Sequence, residues 1–127
     1  MIVVDTSALV AIVNREPRSK DIADCAAAAT VRYISGGTLS EFLILAAGRG
    51  FLPDALGLVA ELGLEVVPVD RSAAEAVGDA YLNWGKGQHP ARLNFGDCFA
   101  YALAISRGLP LLYVGGDFAQ TDVRSAL

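Results

Sequence analysis

Four acidic residues stand where an apolar run ends or a helical stretch begins: Asp5, Glu41, Asp97 and Asp117. Carboxylates brought together from such distant positions repel one another and lose hydration, so a cluster of them is costly unless a cation neutralises it. Hard oxygen donors of this kind suit magnesium or manganese. Each acid also has a plain structural reading. Asp5 precedes Thr6-Ser7 and can cap a helix. Glu41 closes the spacing Thr38-Leu39-Ser40-Glu41, that of a capping box. Asp97 lies three residues after Asn94, in a helix first turn where the dipole favours an anion. Asp117 follows Gly115-Gly116, a turn sequence in which aspartate is common. The joint pattern carries the functional reading. Four acids occupy one kind of topological position in a chain with only 19% charged residues, and the helix starts are expected to hold Glu41 and Asp97 ionised.

The elements that must position them alternate. Ile2–Val4 reads as a buried strand and Thr6–Val13 as a helix capped by Asp5, Thr6 or Ser7. Pro17 opens a second helix running through Ile22–Ala29. Val31–Ile34 is a strand, Gly36-Gly37 a turn, and residues 38–47 a helix ended by Gly48 and Gly50. Further helices are expected over Pro53–Leu62, Ser72–Trp84 and from the Asn94 cap to Ser106. Leu64–Val69 and Leu111–Val114 are strands, the first marked by Pro68 as an edge or an end. Thr121 or Asp122 caps a last short helix. Short β-rich runs separated by helices predict an α/β domain whose parallel sheet is covered on both faces.

The chain has 127 residues, 54% of them hydrophobic, enough for one domain spanning 1–127 with a packed core. A net charge of −4 argues against a general basic nucleic-acid binder, though bound divalent ions would offset several carboxylates. Cys25 and Cys98 fall in alanine-rich helical stretches without metal-ligand spacing and read as reduced and buried, which points to the cytoplasm. No apolar run is long enough to span a bilayer, so no membrane association is expected. His89 is the only histidine and sits in a Gly/Pro loop, so Ser/His/Asp or Cys/His catalysis has no basis here. Phosphate-binding and dinucleotide-binding glycine motifs are absent. A haloacid-dehalogenase-type phosphatase would want a second aspartate where Ser7 stands. A receiver domain would want paired acids before the first helix.

Taken together, Ile2-Val3-Val4-Asp5-Thr6-Ser7-Ala8-Leu9, Ser40-Glu41, Asn94-Phe95-Gly96-Asp97-Cys98 and Leu111-Leu112-Tyr113-Val114-Gly115-Gly116-Asp117-Phe118 resemble the PIN-domain family, and within it the VapC ribonuclease toxins of toxin–antitoxin pairs. The trailing Thr121-Asp122-Val123 fits too. The resemblance implies a three-layer α/β/α PIN-like fold with a central parallel sheet of four to five strands. It implies a magnesium- or manganese-dependent endoribonuclease that hydrolyses RNA by water, leaving 5′-phosphate and 3′-hydroxyl ends. Asp5, Glu41 and Asp97 match the first three acids of such sites, and Asp117 the fourth. Some family members carry the fourth acid where this chain has Gly115, so Asp122 is the alternate. Thr6 and Ser7 would orient a carboxylate or water. Arg15, Arg92 and Asn94 are candidates to touch RNA phosphate, each reading equally as an ordinary surface residue. The implied partners are RNA, a cognate antitoxin and a second copy of the chain. The run Phe42–Ala47, apolar all round, is expected to be buried on more than one side. The competing reading is a non-catalytic PIN module that binds RNA or protein as a scaffold.

Overall fold

The structure is a computed structural model that describes all 127 residues. Its four strands are β1 (Ile2–Val4), β2 (Arg32–Ser35), β3 (Glu65–Val67) and β4 (Leu111–Leu112). The helices are α1 (Thr6–Val13), α2 (Ser19–Ala28), α3 (Gly36–Arg49), α4 (Leu52–Glu61), α5 (Arg71–Trp84) and α6 (Phe95–Arg107), with a 3₁₀ turn at Phe118–Gln120. All pairings are parallel and the sheet order is β3-β2-β1-β4. The sheet therefore has four strands, and β1 is central, with Ile2 beside Arg32 and Val4 beside Leu112.

Alternation along the strands divides the core in two. Val3 and Leu111 face a cluster built with Val77, Leu93, Cys98, Tyr101 and Phe118, on the α5–α6 side. Ile2, Val4, Ile34 and Leu112 face Leu9, Ile22, Phe42, Ala46 and Ala55, on the α1–α4 side. Helices thus cover both faces, and the architecture is the three-layer α/β/α arrangement expected. Both layers anchor the carboxyl edge of the sheet: Asp5 follows β1 directly, and α3 follows β2 without a loop.

Several boundaries differ from expectation for local reasons. Gly36-Gly37 does not turn the chain; it begins α3, because the Ser35 side chain accepts the Gly37 N–H at 3.2 Å and caps the helix there. Thr38 to Glu41 is consequently not a capping box. Glu41 lies beyond the first turn of α3, and Thr38 is buried, its carbonyl accepting the Thr6 hydroxyl at 3.3 Å. Gly37 is required by packing, since a Cβ there would overlap the Phe99 ring of α6. Gly48 is helical, and α3 ends at Gly50, whose φ of 82° lies in the left-handed region glycine tolerates best. Pro17 falls before α2 rather than in its first turn. β3 is a short edge strand stopped before Pro68. No helix follows Thr121; the chain instead bridges Ser125 to Leu111. The run Phe42–Ala47 is not buried all round: Phe42 and Ala46 are inside, whereas Ile44 is 73% exposed.

Both cysteines are free thiols; Cys98 is buried and Cys25 half-buried. No helix is long and apolar enough to cross a membrane.

Candidate active site

The site grows out of the residue that ends β1. Asp5 caps α1, its Oδ2 accepting the Ser7 N–H at 2.9 Å and the Ser7 hydroxyl at 2.6 Å. Ser7 Oγ in turn accepts the Val114 N–H at 3.0 Å, which ties the chain leaving β4 to the Asp5 carboxylate. The capping reading of Asp5 is thus correct and accounts for one oxygen only. The other, Oδ1, is buried with no protein partner. Asp5 is 2% exposed, and burial lifts its pKa from an ordinary 3.8 to about 7, against the pull of the two Ser7 bonds and with help from Asp97 and Glu41. A buried acceptor left open is costly unless a ligand or ion completes it.

Glu41 reaches the same place from α3. Thr6 donates its hydroxyl to Glu41 Oε1 at 2.6 Å. Thr6 and Ser7 therefore act in parallel, each holding one carboxylate. Gly96 completes the seat, because a Cβ at that position would fall on the Glu41 carboxylate. Glycine at the second residue of α6 is what lets Glu41 lie against the start of that helix.

Asp97 enters on the first turn of α6. Asn94 Oδ1 accepts the Asp97 N–H at 2.8 Å, and Asp97 Oδ2 accepts the Asn94 N–H at 3.0 Å, so the reciprocal capping box of this protein is here. The helix start was expected to favour ionised Asp97, and burial works against it. The pKa rises to about 6, desolvation being the main cause, partly opposed by the Asn94 bond and reinforced by Glu41 and Asp117. Asp117 adds to that field but is exposed and is not among the residues lining the cleft described next. Asp122 is engaged elsewhere, accepting the Tyr101 hydroxyl at 2.6 Å. Burial is the larger cause, and that bond the next, of a Tyr101 phenol pushed up to about 12.

Asp5, Thr6, Ser7, Glu41 and Asp97 line one open cleft of about 340 Å³, together with Val10, Glu16, Leu45, Arg49 and Val114. No three acids are gathered at a single point; they ring the cleft. Glu16 and Arg49, which also line the cleft, were not among the residues singled out in the sequence. The spacing Glu41, Leu45, Arg49 on one helical face is the signal that could have found Arg49.

The candidates for RNA contact lie apart from one another. Arg15, at φ 52°, lines a separate hollow with Pro53, Asp54 and Glu61. Arg92, at φ 56°, lines a polar loop with Lys86, Gln88 and His89. Asn94 spends its side-chain oxygen on the cap. His89 supports its own loop, since its Nδ1 accepts the Ala91 N–H at 3.0 Å and its ring stands edge-on to Trp84 at 4.7 Å. A second hollow of about 210 Å³, between the β3 edge, α5 and α6, holds none of the four acids.

A parallel sheet whose carboxyl edge presents Asp5, Glu41 and Asp97 around one cleft agrees with the sequence match to the PIN domain over residues 2–124. The chain belongs to the PIN-domain family. Among curated relatives of this PIN domain, ribonuclease VapC28 of Mycobacterium tuberculosis is 43% identical over 98% of this chain and 97% of its own. In three dimensions the PIN domain is similar to the M. tuberculosis toxin VapC20, which cleaves the sarcin–ricin loop, with a TM-score of 0.77 at 21% identity, covering 97% of this chain and 96% of that one. It is also similar to VapBC-5, a member of a toxin–antitoxin family from the same organism, with a TM-score of 0.63 at 25% identity over 98% and 92% of the two chains.

Proposed function

We infer that this PIN domain is a magnesium- or manganese-dependent endoribonuclease, the toxin of a toxin–antitoxin pair acting in the cytoplasm. The observation that carries the reading is Asp5: a buried carboxylate whose Oδ1 has no hydrogen-bond partner, in a residue that lines a cleft ringed by Glu41 and Asp97. The ribonuclease name of a relative 43% identical over nearly the whole chain supports the activity.

The donor types suit a divalent ion. The donors are hard oxygens, one of them a buried orphan, in a site with no cysteine or histidine among its lining residues. Asp5, Glu41 and Asp97, which ring the cleft without meeting at one point, would have to draw together to hold it, with Asp117, outside the cleft lining, as the fourth acid. When bound, such an ion offsets phosphate charge and makes water a better nucleophile at neutral pH. The chain's own contribution is orientation. Ser7 fixes Asp5, Thr6 fixes Glu41, and the Asn94 backbone fixes Asp97, so that each carboxylate keeps one oxygen outside these bonds. Such fixed partners limit the reorganisation needed when substrate arrives.

The partners follow from charge and exposure. A net charge of −4 and an acid-lined cleft suit an antitoxin that presents a basic side chain, and the likeness to VapBC-5, of a toxin–antitoxin family, supports one. Ile44, exposed within an apolar run of α3, supports a homodimer through that helix.

The test is cleavage of total RNA by the purified chain with manganese, with chelator, and with Asp5→Asn. We expect metal-dependent cutting with 5′-phosphate and 3′-hydroxyl ends, lost in the variant. Cutting that survives complete chelation, or a 2′,3′-cyclic phosphate product, would sink the reading. Folded protein that gains no stability from manganese and does not cut would favour the scaffold.

A further inference from the structure

Four of the protein's arginines are already engaged. Arg32 donates to the carbonyls of Leu62, Ala26 and Ala29, Arg124 donates to that of Gly108, Arg71 pairs with Glu75, and Arg107 lies over the Tyr33 ring at 4.5 Å. Arg49 is different. It is exposed on the last turn of α3 and lines the acidic cleft, where it is the only cation. The ion pairs of the structure are Lys20–Asp24 and Arg71–Glu75, so Arg49 is tied to none of the carboxylates around it.

Its position follows from helix geometry. Glu41, Leu45 and Arg49 are spaced four apart, and all three line the cleft. At 1.5 Å rise per residue, the Arg49 backbone lies about 12 Å along α3 from that of Glu41. Arg49 is thus set at one end of the cleft, away from the acids that Thr6 and Ser7 hold, on an ordered helix. The carboxyl end of α3 favours a cation there. A guanidinium presents a fork of donors matched to phosphate oxygens. In a cleft otherwise acidic, the one unpaired cation is the place where a polyanion can be gripped.

We propose that Arg49 binds a backbone phosphate of the RNA next to the one that is cut, holding the strand in register across Asp5, Glu41 and Asp97. This rests on the nuclease reading and names the residue that makes an acidic cleft tolerate its substrate. Phosphate contact of this kind positions without reading sequence.

The experiment uses a 5′-labelled single-stranded RNA of mixed sequence. Cleavage is measured for the parent, Arg49→Ala and Arg49→Lys, and binding is measured in the Asp5→Asn background across a salt series. Arg49→Ala is expected to raise KM by about tenfold or more, as losing a charge-assisted contact should, with kcat little changed. Its plot of log affinity against log salt should be shallower by about 0.7, the loss of one single-strand phosphate contact. Arg49→Lys should keep the slope and recover part of the affinity. Melting temperatures should stay within a few degrees, since the side chain is exposed and loses only its favourable place at the helix end. A parent that cuts, with an Arg49→Ala variant of equal KM and equal salt slope, overturns the inference alone and leaves the arginine to a protein partner. A parent that neither binds nor cuts RNA overturns the nuclease reading and this inference with it.

Discussion

Replacing Asp5 by asparagine should stabilise this protein while abolishing its chemistry. The asparagine would be nearly isosteric, and its amide oxygen can still accept from Ser7. The carboxylate it removes is buried, with one oxygen unpartnered and a pKa raised to about 7. The folded state therefore binds more protons than the unfolded chain between about pH 4 and pH 7. Stability must fall as pH rises through that window and level off above it. Over the span from 3.8 to about 7 the cost of ionising Asp5 in place approaches ~4 kcal/mol, at 1.36 kcal/mol for each tenfold in proton affinity. Asparagine escapes that cost. In chelator at pH 8, Asp5→Asn should melt on the order of 10 °C above the parent, and the gap should narrow towards pH 4. Manganese should close most of that gap. At a hundred times its dissociation constant it adds ~2.7 kcal/mol to the parent and nothing comparable to the variant. Thermal melts of both proteins at pH 4.5, 6 and 8, with chelator or manganese, read all of this at once. A parent whose metal-free stability rises from pH 5 to 7, or an Asp5→Asn variant less stable than the parent at pH 8 in chelator, would refute the reasoning.

Two glycines facing α3–α6 contacts should separate activity from stability. Gly96→Ala pushes against the end of a flexible Glu41 side chain, so it should melt within a few degrees of the parent yet lose most RNA cleavage in the same assay. Gly37→Ala meets the Phe99 ring, which cannot swing aside cheaply; circular dichroism should show it destabilised by about 1–3 kcal/mol, the usual cost of overpacking. The fourth acid can be assigned by a similar split. Asp117→Asn should lower cleavage with little change in melting, whereas Asp122→Asn should cost about 1 kcal/mol or more by weakening its bond to Tyr101 while cleavage of the folded fraction persists. The reverse pattern would move the fourth position to Asp122.

Much of this molecule could be read from its residues because local chemistry and tertiary role agree. The β-branched run before Asp5 is a central strand, Asp5 does cap α1, and Asn94 does cap α6. These are contacts within a few residues of each other, and sequence spacing encodes them. Where two local readings competed, packing between elements chose. Thr38 to Glu41 has the letters of a capping box, but Ser35 caps the helix a turn earlier, freeing Glu41 to take the Thr6 hydroxyl from another element. Helix starts favour ionised acids in isolation, yet burial at the crowded sheet edge makes Asp5 and Asp97 harder to ionise, because desolvation acts over the whole surroundings and not only along the helix axis. That Asp5 ends a strand and Asp97 opens a helix was legible along the chain, whereas Glu41, read at a helix start, stands beyond the first turn of α3. That Gly96 makes room for Glu41, that Asp122 is bound to Tyr101, and that Arg49 shares the cleft emerged only on folding. Those facts depend on distances between segments far apart in the chain, which neither periodicity nor capping encodes.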